Sequence, residues 1–533
     1  MRWMLAVLLM GLASGCAGAA ESVWVHPGDG GKLVYKTTAR GDRVMDFSYA
    51  GYGGGGVALP TVDAVVTVAP LGGGKDDAPA IQAAIDAVSK REIKDGFRGA
   101  VVLEAGNYVC GQMLEIRASG VVLRGAGVEA ETGTRIQMNG KAHGFLTVST
   151  DRRRDALIEP VGPADAITDA YVPAGTQSVN VTEGAVFKAG DAVMITRPIT
   201  ASWVHFMQMD ALVRNGKPET WLQAGTITMR RVVTSVNGNR VTFDVPLSDD
   251  IDSAYLQRNH ATVQKYKADG MLSHVGIEGM SVMAPAIQIH MQTSPEMAAQ
   301  REKARSGDDD APPPTRAFGG IHLDGVTDAW VRDFHITDTV GVLGVGPEAS
   351  RITAQDIVAK HTVASVGAAK PADLVVQGSQ VLIQRCKDTG DNVFYFVTQA
   401  RVTGPNVLRD CEFLGNGHVS PHQRWMTGLL VENCKVPQGG IDFMDRGVMG
   451  SGHGWTTGWS VAWNCEAKSY QIDAPPGVLN WAVGCTGAVD ASKEPGSGRI
   501  VGTGVWESRG ERVVPASLYE AQLKDRGFDK LTR

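Results

Sequence analysis

The chain has 533 residues, 43% of them hydrophobic and only 6% aromatic, with 65 glycines and a formal net charge of −6. That apolar share excludes a disordered or collagen-like chain, and the mild acidity excludes a nucleic-acid binder built on a basic face. Past the first twenty residues, no apolar run reaches the length of a membrane span.

The opening MRWMLAVLLMGLASGCAGAA (1–20) joins a basic residue, an apolar core and a small-residue end, the pattern of a secretory signal. It predicts an exported protein, either periplasmic or extracellular after cleavage, or an outer-membrane lipoprotein anchored through Cys16 of LASGC. Residues 21–159 read as an N-terminal region, a capping helix and the first coils of a solenoid. The glycine-dense DFSYAGYGGGGVALP (46–60) predicts irregular backbone in close approach to another surface. In GGGKDDAPAIQAAIDAVSK (72–90), Asp76 and Asp77 start a helix whose Ile81, Ala84, Ile85 and Val88 form one apolar stripe. Such a helix can cover the open end of a solenoid. GAVVLEAGNYVCGQMLEI (99–116) and GVVLRGAG (120–127) follow as strands.

Residues 160–260 break this rhythm and predict an inserted antiparallel β module, with Asn237-Gly238 as its hairpin signal. Trp203, His205, Asp210, Arg214 and Trp221 fall in a polar and aromatic stretch of it, suited to contact with sugars. From 261 to 514 the coils resume. HVGIEGMSVM (274–283) aligns on AWVRDFHITD (329–338), and the charged, Pro-rich segment 292–315 between them reads as a surface loop. Short apolar strands then end in Phe334, Cys386, Cys411, Cys434, Cys465 and Cys485, the cysteines at intervals of 25, 23, 31 and 20 residues. One β-type segment per 20 to 30 residues with Gly, Asn and Asp between predicts a parallel β-helix, with the cysteines stacked in one buried row. Asp333, Asp410, Asn433 and Asn464, one position earlier, point the other way. Neighbours in such a row are within disulfide reach, but the cysteines read first as buried thiols, small apolar groups, and no Cys/His ligand spacing points to a metal. A short amphipathic helix in 515–533 closes the far end. The fold class is therefore all-β: a parallel β-helix with an N-terminal capping helix and a small inserted β module.

The order of Gly-Asp-Asp-type helix, VVLEAGNY and VVLRGAG across residues 66–127 resembles the N-terminal signature of the pectate-lyase/rhamnogalacturonase-like superfamily. This resemblance implies a right-handed β-helix, secretion and action on polysaccharides by lyase or hydrolase chemistry. PHQRWMTG and GSGHGW are similar to a branch of secreted bacterial β-helix proteins of that superfamily.

Turns at equivalent positions of successive coils emerge on one side and can share a cleft. The segments after the ladder cysteines gather Asp388, Asp391, His418, His422, Arg424, Asp445, Arg446, His453, Lys468 and Tyr470, beside Trp425, Trp455 and Trp481. A lyase needs a cation to neutralise a uronate carboxylate and a base for the adjacent proton. Arg424 or Arg446 suits the first task, and His422, His418, His453 or Tyr470 the second. A hydrolase needs two carboxyl groups, which Asp388, Asp391 and Asp445 can supply. Gly452-His453-Gly454 matches part of the polygalacturonase-like pattern, without its Asp-Asp pair or Arg-x-Lys. The catalytic candidates are thus His422, Arg424, His453, Asp445, Arg446 and Asp391. Trp425, Trp455, His418, Trp203, Trp221 and Arg214 are the substrate-binding candidates. The expected partner is an acidic polysaccharide, and the reading leans to a lyase, with an inverting hydrolase or a non-catalytic glycan binder as alternatives. Calcium-dependent lyases of this fold hold Ca2+ in clustered acids. No comparable cluster stands out here, so no metal ligand is assigned.

Overall fold

The computed structural model describes residues 20–152, 157–256, 259–288, 317–366, 370–494 and 499–528. Residues 1–19 of the expected signal, with Cys16, and the segment 292–315 lie outside them. The main body is a right-handed parallel β-helix of three hydrogen-bonded ladders. The first runs from Ala64–Val68 through Leu272–Met283, Val326–Thr337 and Met426–Glu432 to Val505–Glu507. The second runs from Gly106–Cys110 through Lys387–Thr389 and Glu412–Leu414 to Thr486–Val489. The third runs from Leu114–Ile116 through Ala372–Val376, Phe394–Thr398 and His418–Val419 into Lys435–Phe443.

Each coil thus has three strands, so the polar segments after the cysteines are largely strand. The returns from the third ladder to the first, around 399–402, 420–425 and 444–456, are the turns that carry the candidate site. Leu272–Met283 pairs with Val326–Thr337 one residue off the alignment read from sequence, with Val275 opposite Ala329 and Met280 opposite Phe334. A slip of one residue exchanges the two faces of a strand.

The ladder cysteines sit at the corner between the first two ladders. Registered pairs on either side, Gln384 with Arg409 and Lys387 with Glu412 and their successors, bring Cys386, Cys411, Cys434, Cys465 and Cys485 into one row, all buried and free. Each thiol points at the carbonyl two residues earlier, as Cys411 does to Arg409 at 3.2 Å and Cys434 to Glu432 at 3.4 Å. Burial pushes the thiols of Cys411, Cys434, Cys465 and Cys485 well up, which leaves them unreactive. The preceding residue turns the corner in the left-handed region: Asp333 (φ 49°), Asp356 (54°), Arg385 (53°), Asp410 (52°), Asn433 (53°), Asn464 (53°) and Gly484 (66°). Asp, Asn and Gly recur there because they adopt this conformation at least cost.

The helix Ala78–Ser89 buries Ala78, Ile81, Ala84, Ile85 and Val88 against the first coils. Asp77 does not cap it through its side chain. Its carboxylate instead accepts the backbone amides of Leu71 (2.7 Å) and Val109 (2.8 Å), tying the lid to the solenoid. The glycine-rich segment lies across the outer face of the first ladder, where Gly51 N–H donates to the Gln380 carbonyl (2.8 Å) and Tyr52 N–H to Thr353 Oγ1 (2.9 Å). At Gly51, with φ 108°, a Cβ would press on Leu382 and Thr353. The helix Leu518–Asp525 does not close the far end. It packs along this same flank, with Tyr519 and Leu523 among Phe47, Leu382, Val407, Leu430 and Trp463, because outward apolar side chains of the first ladder need cover.

Between Glu159 and Lys267 the chain builds a six-stranded antiparallel sheet with its own core. The hairpin between Gly225–Asn237 and Arg240–Phe243 turns on Gly238 and Asn239. Buried Arg231 fastens this module to the solenoid by donating to the carbonyls of Pro246 (2.7 Å) and Gly404 (3.0 Å).

Candidate functional site

The third-to-first-ladder returns of adjacent coils converge on one solvent-facing side beside the module. His422 N–H donates to Thr398 O (3.2 Å), Arg424 N–H to His453 O (3.0 Å) and Trp425 N–H to Trp455 O (3.0 Å), which locks the returns in order. The larger one, from Phe443 to Thr457, is pinched by an antiparallel bridge between Asp445 and Trp455. Arg424 (φ 53°) and Trp425 (φ 68°) are consecutive non-glycine residues in the left-handed region, a strained conformation for a bulky tryptophan.

At the centre, the rings of His422 and His453 are 4.8 Å apart, and His422 stands 5.0 Å from Phe394, the first residue of a third-ladder strand. The Arg446 guanidinium lies 5.6 Å from the same Phe394 ring. Arg424 donates to Ser451 Oγ at 2.8 Å, and Arg214 of the module donates to the Gly450 carbonyl. Gly450, with φ 64°, leaves no room for a Cβ beside His453 Nε2.

His422 Nδ1, His453 Nδ1 and Arg446 Nε are all buried without a hydrogen-bond partner. Burial pushes His422 and His453 down to about 3, helped first by the Arg446 charge, then by His453 for the one and by Arg424 and Arg214 for the other. Both imidazoles are therefore neutral at ordinary pH. Burial also lowers Arg446 and Arg424, each only partly offset by a carboxylate, Asp442 for one and Glu219 for the other. Beside them, half-buried His418 meets Asp442 Oδ2 through Nδ1 at 2.7 Å. A carboxylate accepts, so Nδ1 carries a proton, and in the neutral ring Nε2 is the acceptor.

The structure therefore gathers His418, His422, Arg424, Arg446, His453 and Arg214. It does not place the other candidates with them as the sequence suggested. The tryptophans are no sugar platform: Trp203 (7% exposed), Trp221 (1%), Trp425 (1%) and Trp455 (2%) form the seam between module and solenoid. Trp203 stacks on Trp221 at 5.1 Å and both meet Trp425 edge-on, while the indole N–H groups of Trp221, Trp455 and Trp425 bond to Trp455 O, Met207 O and Asp249. Apolar rings bury themselves wherever a second surface is available.

Asp445 has no exposed surface. It accepts Gly447 N–H (2.8 Å) and Arg499, and its own amide bonds to Asp473 (2.8 Å), so it organises the large return. Desolvation, with Glu494 and Asp473 nearby, pushes it up to about 7. Tyr470 is fully buried inside the solenoid against the thiol row. Asp391 stands at the solvent edge, bound to Asn416 N–H at 3.0 Å. Asp388 is in the solenoid interior, and His205 pairs with Asp210 on the exposed outside of the module. Sequence reasoning missed Phe394 and Asp442. The register of His418 against Phe394 and Gly440 would have located both, and it requires the three-strand coil.

No protein-family model matches the chain, and no curated protein matches it. Among solved structures it is similar to several phage tailspikes, three of which follow. One is tailspike protein gp49 of Pseudomonas phage LKA1, at 15% identity over 78% of this chain and 56% of that one, with a TM-score of 0.37. Another is the tailspike of E. coli bacteriophage HK620 in complex with a pentasaccharide, at 10% identity, 80% and 55% coverage and a TM-score of 0.39. The third is the Gp54 tailspike of Acinetobacter baumannii bacteriophage AP22 in complex with a capsular saccharide, at 11%, 82% and 69%, with 0.27. The chain spans little more than half of the first two. At these identities the likeness is one of fold alone, and the fold defines a right-handed parallel β-helix protein. Among the described residues no helix is long and apolar enough to cross a membrane.

Proposed function

We propose that this is an exported polysaccharide lyase, of the pectate-lyase-like kind its N-terminal motifs resemble, which cleaves a uronate-containing polymer by β-elimination. The observation that supports it is the set of unpartnered buried nitrogens on His422, His453 and Arg446. A buried donor without an acceptor costs about 1–3 kcal/mol, and a protein keeps such groups where a ligand completes them. Arg446 Nε is a donor, and the two imidazoles beside it sit against a surplus of cations, so an anion with several acceptor atoms is the partner that suits the group best. A sugar carboxylate is such a group, and Arg446 and Arg424 can present planar forks to it.

Neutralising the carboxylate acidifies the C–H beside it. His418, turned by Asp442, takes that proton on Nε2, the C–O bond to the leaving sugar breaks with its electron pair, and a C=C bond forms in the ring. The departing oxygen is protonated from solvent. His422 and His453 are too weakly basic for the abstraction and act as neutral donors or acceptors around the sugar. Hydrolysis fits less well, because it needs two carboxyl groups at the scissile bond and Asp445 and Asp473 are both fully buried.

The test is incubation of the pure protein with a panel of uronate polymers, reading the ultraviolet absorbance of unsaturated ends and, separately, new reducing ends. Both signals rising together supports the lyase. Reducing ends alone would make it a hydrolase, and saturable binding with neither would make it a glycan binder.

A further inference from the structure

Inside the solenoid, away from the imidazole cluster, lies a second group of chemistry-bearing side chains. His361 follows the strand Ser350–Lys360, Asp373 lies in Ala372–Val376 and Asp388 in Lys387–Thr389 of the next coil. His361 N–H donates to Thr389 O (2.8 Å), and Ala359 is registered on Asp388, so the three residues straddle the seam between two coils. One ligand atom from each, the imidazole nitrogen and two carboxylate oxygens, lies within 4.8 Å of the others. His361 Nε2 stands 3.0 Å from Asp373 Oδ2.

Asp373 and Asp388 are 0% and 2% exposed, and the His361 side chain 7%. The surroundings are apolar: Asp388 is registered on Phe413 in the following coil, whose ring stacks at 5.0 Å on Tyr395. Both oxygens of Asp388 and Oδ1 of Asp373 have no hydrogen-bond partner. Two carboxylates so placed repel each other and lack solvent. Either protons or a cation must compensate them.

We propose that His361, Asp373 and Asp388 bind a divalent transition-metal ion, Zn2+ in the first instance, as a structural staple between consecutive coils. A single proton shared by the carboxyls joins only two of the four oxygens and leaves the imidazole no role beyond one hydrogen bond. A dication cancels both charges and uses the nitrogen and both carboxylates at once. The imidazole selects zinc over calcium or magnesium, which prefer all-oxygen sets. Phe394 begins the strand after Asp388 and its ring faces His422, so the staple also firms the floor of the candidate site.

The experiment refolds the full chain with Zn2+ or with chelator, removes free metal, and measures bound zinc by elemental analysis and Tm by calorimetry. Near-stoichiometric zinc and a Tm higher by several degrees in the zinc-refolded sample are expected. His361→Gln and Asp388→Asn should both reduce bound zinc to background and make Tm indifferent to chelator. Asp388→Asn also separates the two explanations, because its amide can replace a shared proton by donating to Asp373. Wild-type protein without zinc above background, or zinc retained by both variants, overturns the proposal. A Tm that zinc and chelator leave unchanged in the wild type does so as well. If Asp388→Asn fails to fold, His361→Gln decides, since it leaves the carboxyl pair intact.

Discussion

The cysteine row and the imidazole–guanidinium returns are both repeated features of one solenoid, and both are largely withdrawn from water. They differ in what burial leaves behind. Each thiol in the row finds a carbonyl two residues back and needs nothing more. The returns bury three nitrogens that find nothing. Stacking alone therefore builds an apolar corner whose thiols are satisfied, and the unsatisfied groups of the returns mark one place where the sequence departs from that economy. A protein gains stability by removing such groups and loses activity by doing so.

The largest effects should come from breaking this contrast on the functional side. Arg446→Met removes a cation and a buried unpartnered donor while keeping an unbranched apolar stem in its place. Activity on a uronate polymer is expected to fall on the order of a hundred- to a thousandfold, with Tm unchanged or raised. His418→Ala should cost on the order of a hundred- to ten-thousandfold without early unfolding. Steady-state kinetics beside calorimetry reads both. An Arg446→Met protein that unfolds early yet turns over normally would place the residue with the thiols.

Next come the tryptophans, whose burial moves them from the sugar-binding side of the contrast to the packing side. Trp425→Ala removes a ring that contacts Trp203 and Trp221, and should cost about 3–5 kcal/mol in urea unfolding. Cleavage per folded molecule should suffer less than in Arg446→Met. A normal unfolding midpoint with a raised KM would return Trp425 to the substrate.

The coil period was legible because a stacked corner selects one residue type per turn. The cysteines, and Asp or Asn before them, repeat for local reasons of volume and φ. The lid was legible from the spacing of Ile81, Ile85 and Val88. What failed to show was the number of strands per coil: KVPQGGIDF reads as a polar turn, yet Ile441 and Phe443 face inward and Asp442 faces out. Site members that depend on neighbouring coils, Phe394 and Asp442, were hidden for that reason. The tryptophans misled because sequence marks an aromatic residue without saying which second surface will cover it.

A moderate effect concerns pH. His422 and His453 have folded pKa values near 3 against an ordinary value of 6.5. Between those limits the unfolded chain binds protons that the folded chain refuses, so their contribution is fully present above about 6.5 and is lost as pH falls toward 3. Asp445, raised to about 7, and Asp473, raised to about 6, oppose this, since their burial penalty grows as pH rises from the ordinary 3.8. His422→Phe should flatten the acid limb of a stability–pH curve. An acidic oligosaccharide, by restoring the missing negative charge, should be bound with proton uptake below about 6.5. Calorimetry in two buffers of different ionisation enthalpy measures that uptake, and its absence would remove the carboxylate from the site.

The smallest effect lies at the thiol corner and asks whether the residue before each ladder position is chosen for φ or for charge. Asp333 (φ 49°) stacks on Asp356 (φ 54°), with Phe334 registered on Ile357 beside them. Partial desolvation first, and the Asp356 carboxylate second, raise the Asp333 pKa. A raised carboxyl is penalised as pH climbs from 3.8 through its folded value, so Asp333→Asn should stabilise the coil slightly at neutral pH and not at pH 3. Asp356 keeps its fork from Arg385, at 2.8 and 2.7 Å, in either case. Asp333→Val carries the same loss of charge but adds a β-branched side chain at positive φ, which should cost about 1–2 kcal/mol. If both variants shift the urea midpoint alike, charge governs the corner. If only valine lowers it, backbone conformation does, and the Asp, Asn and Gly repeated along the row record the left-handed turn of every coil.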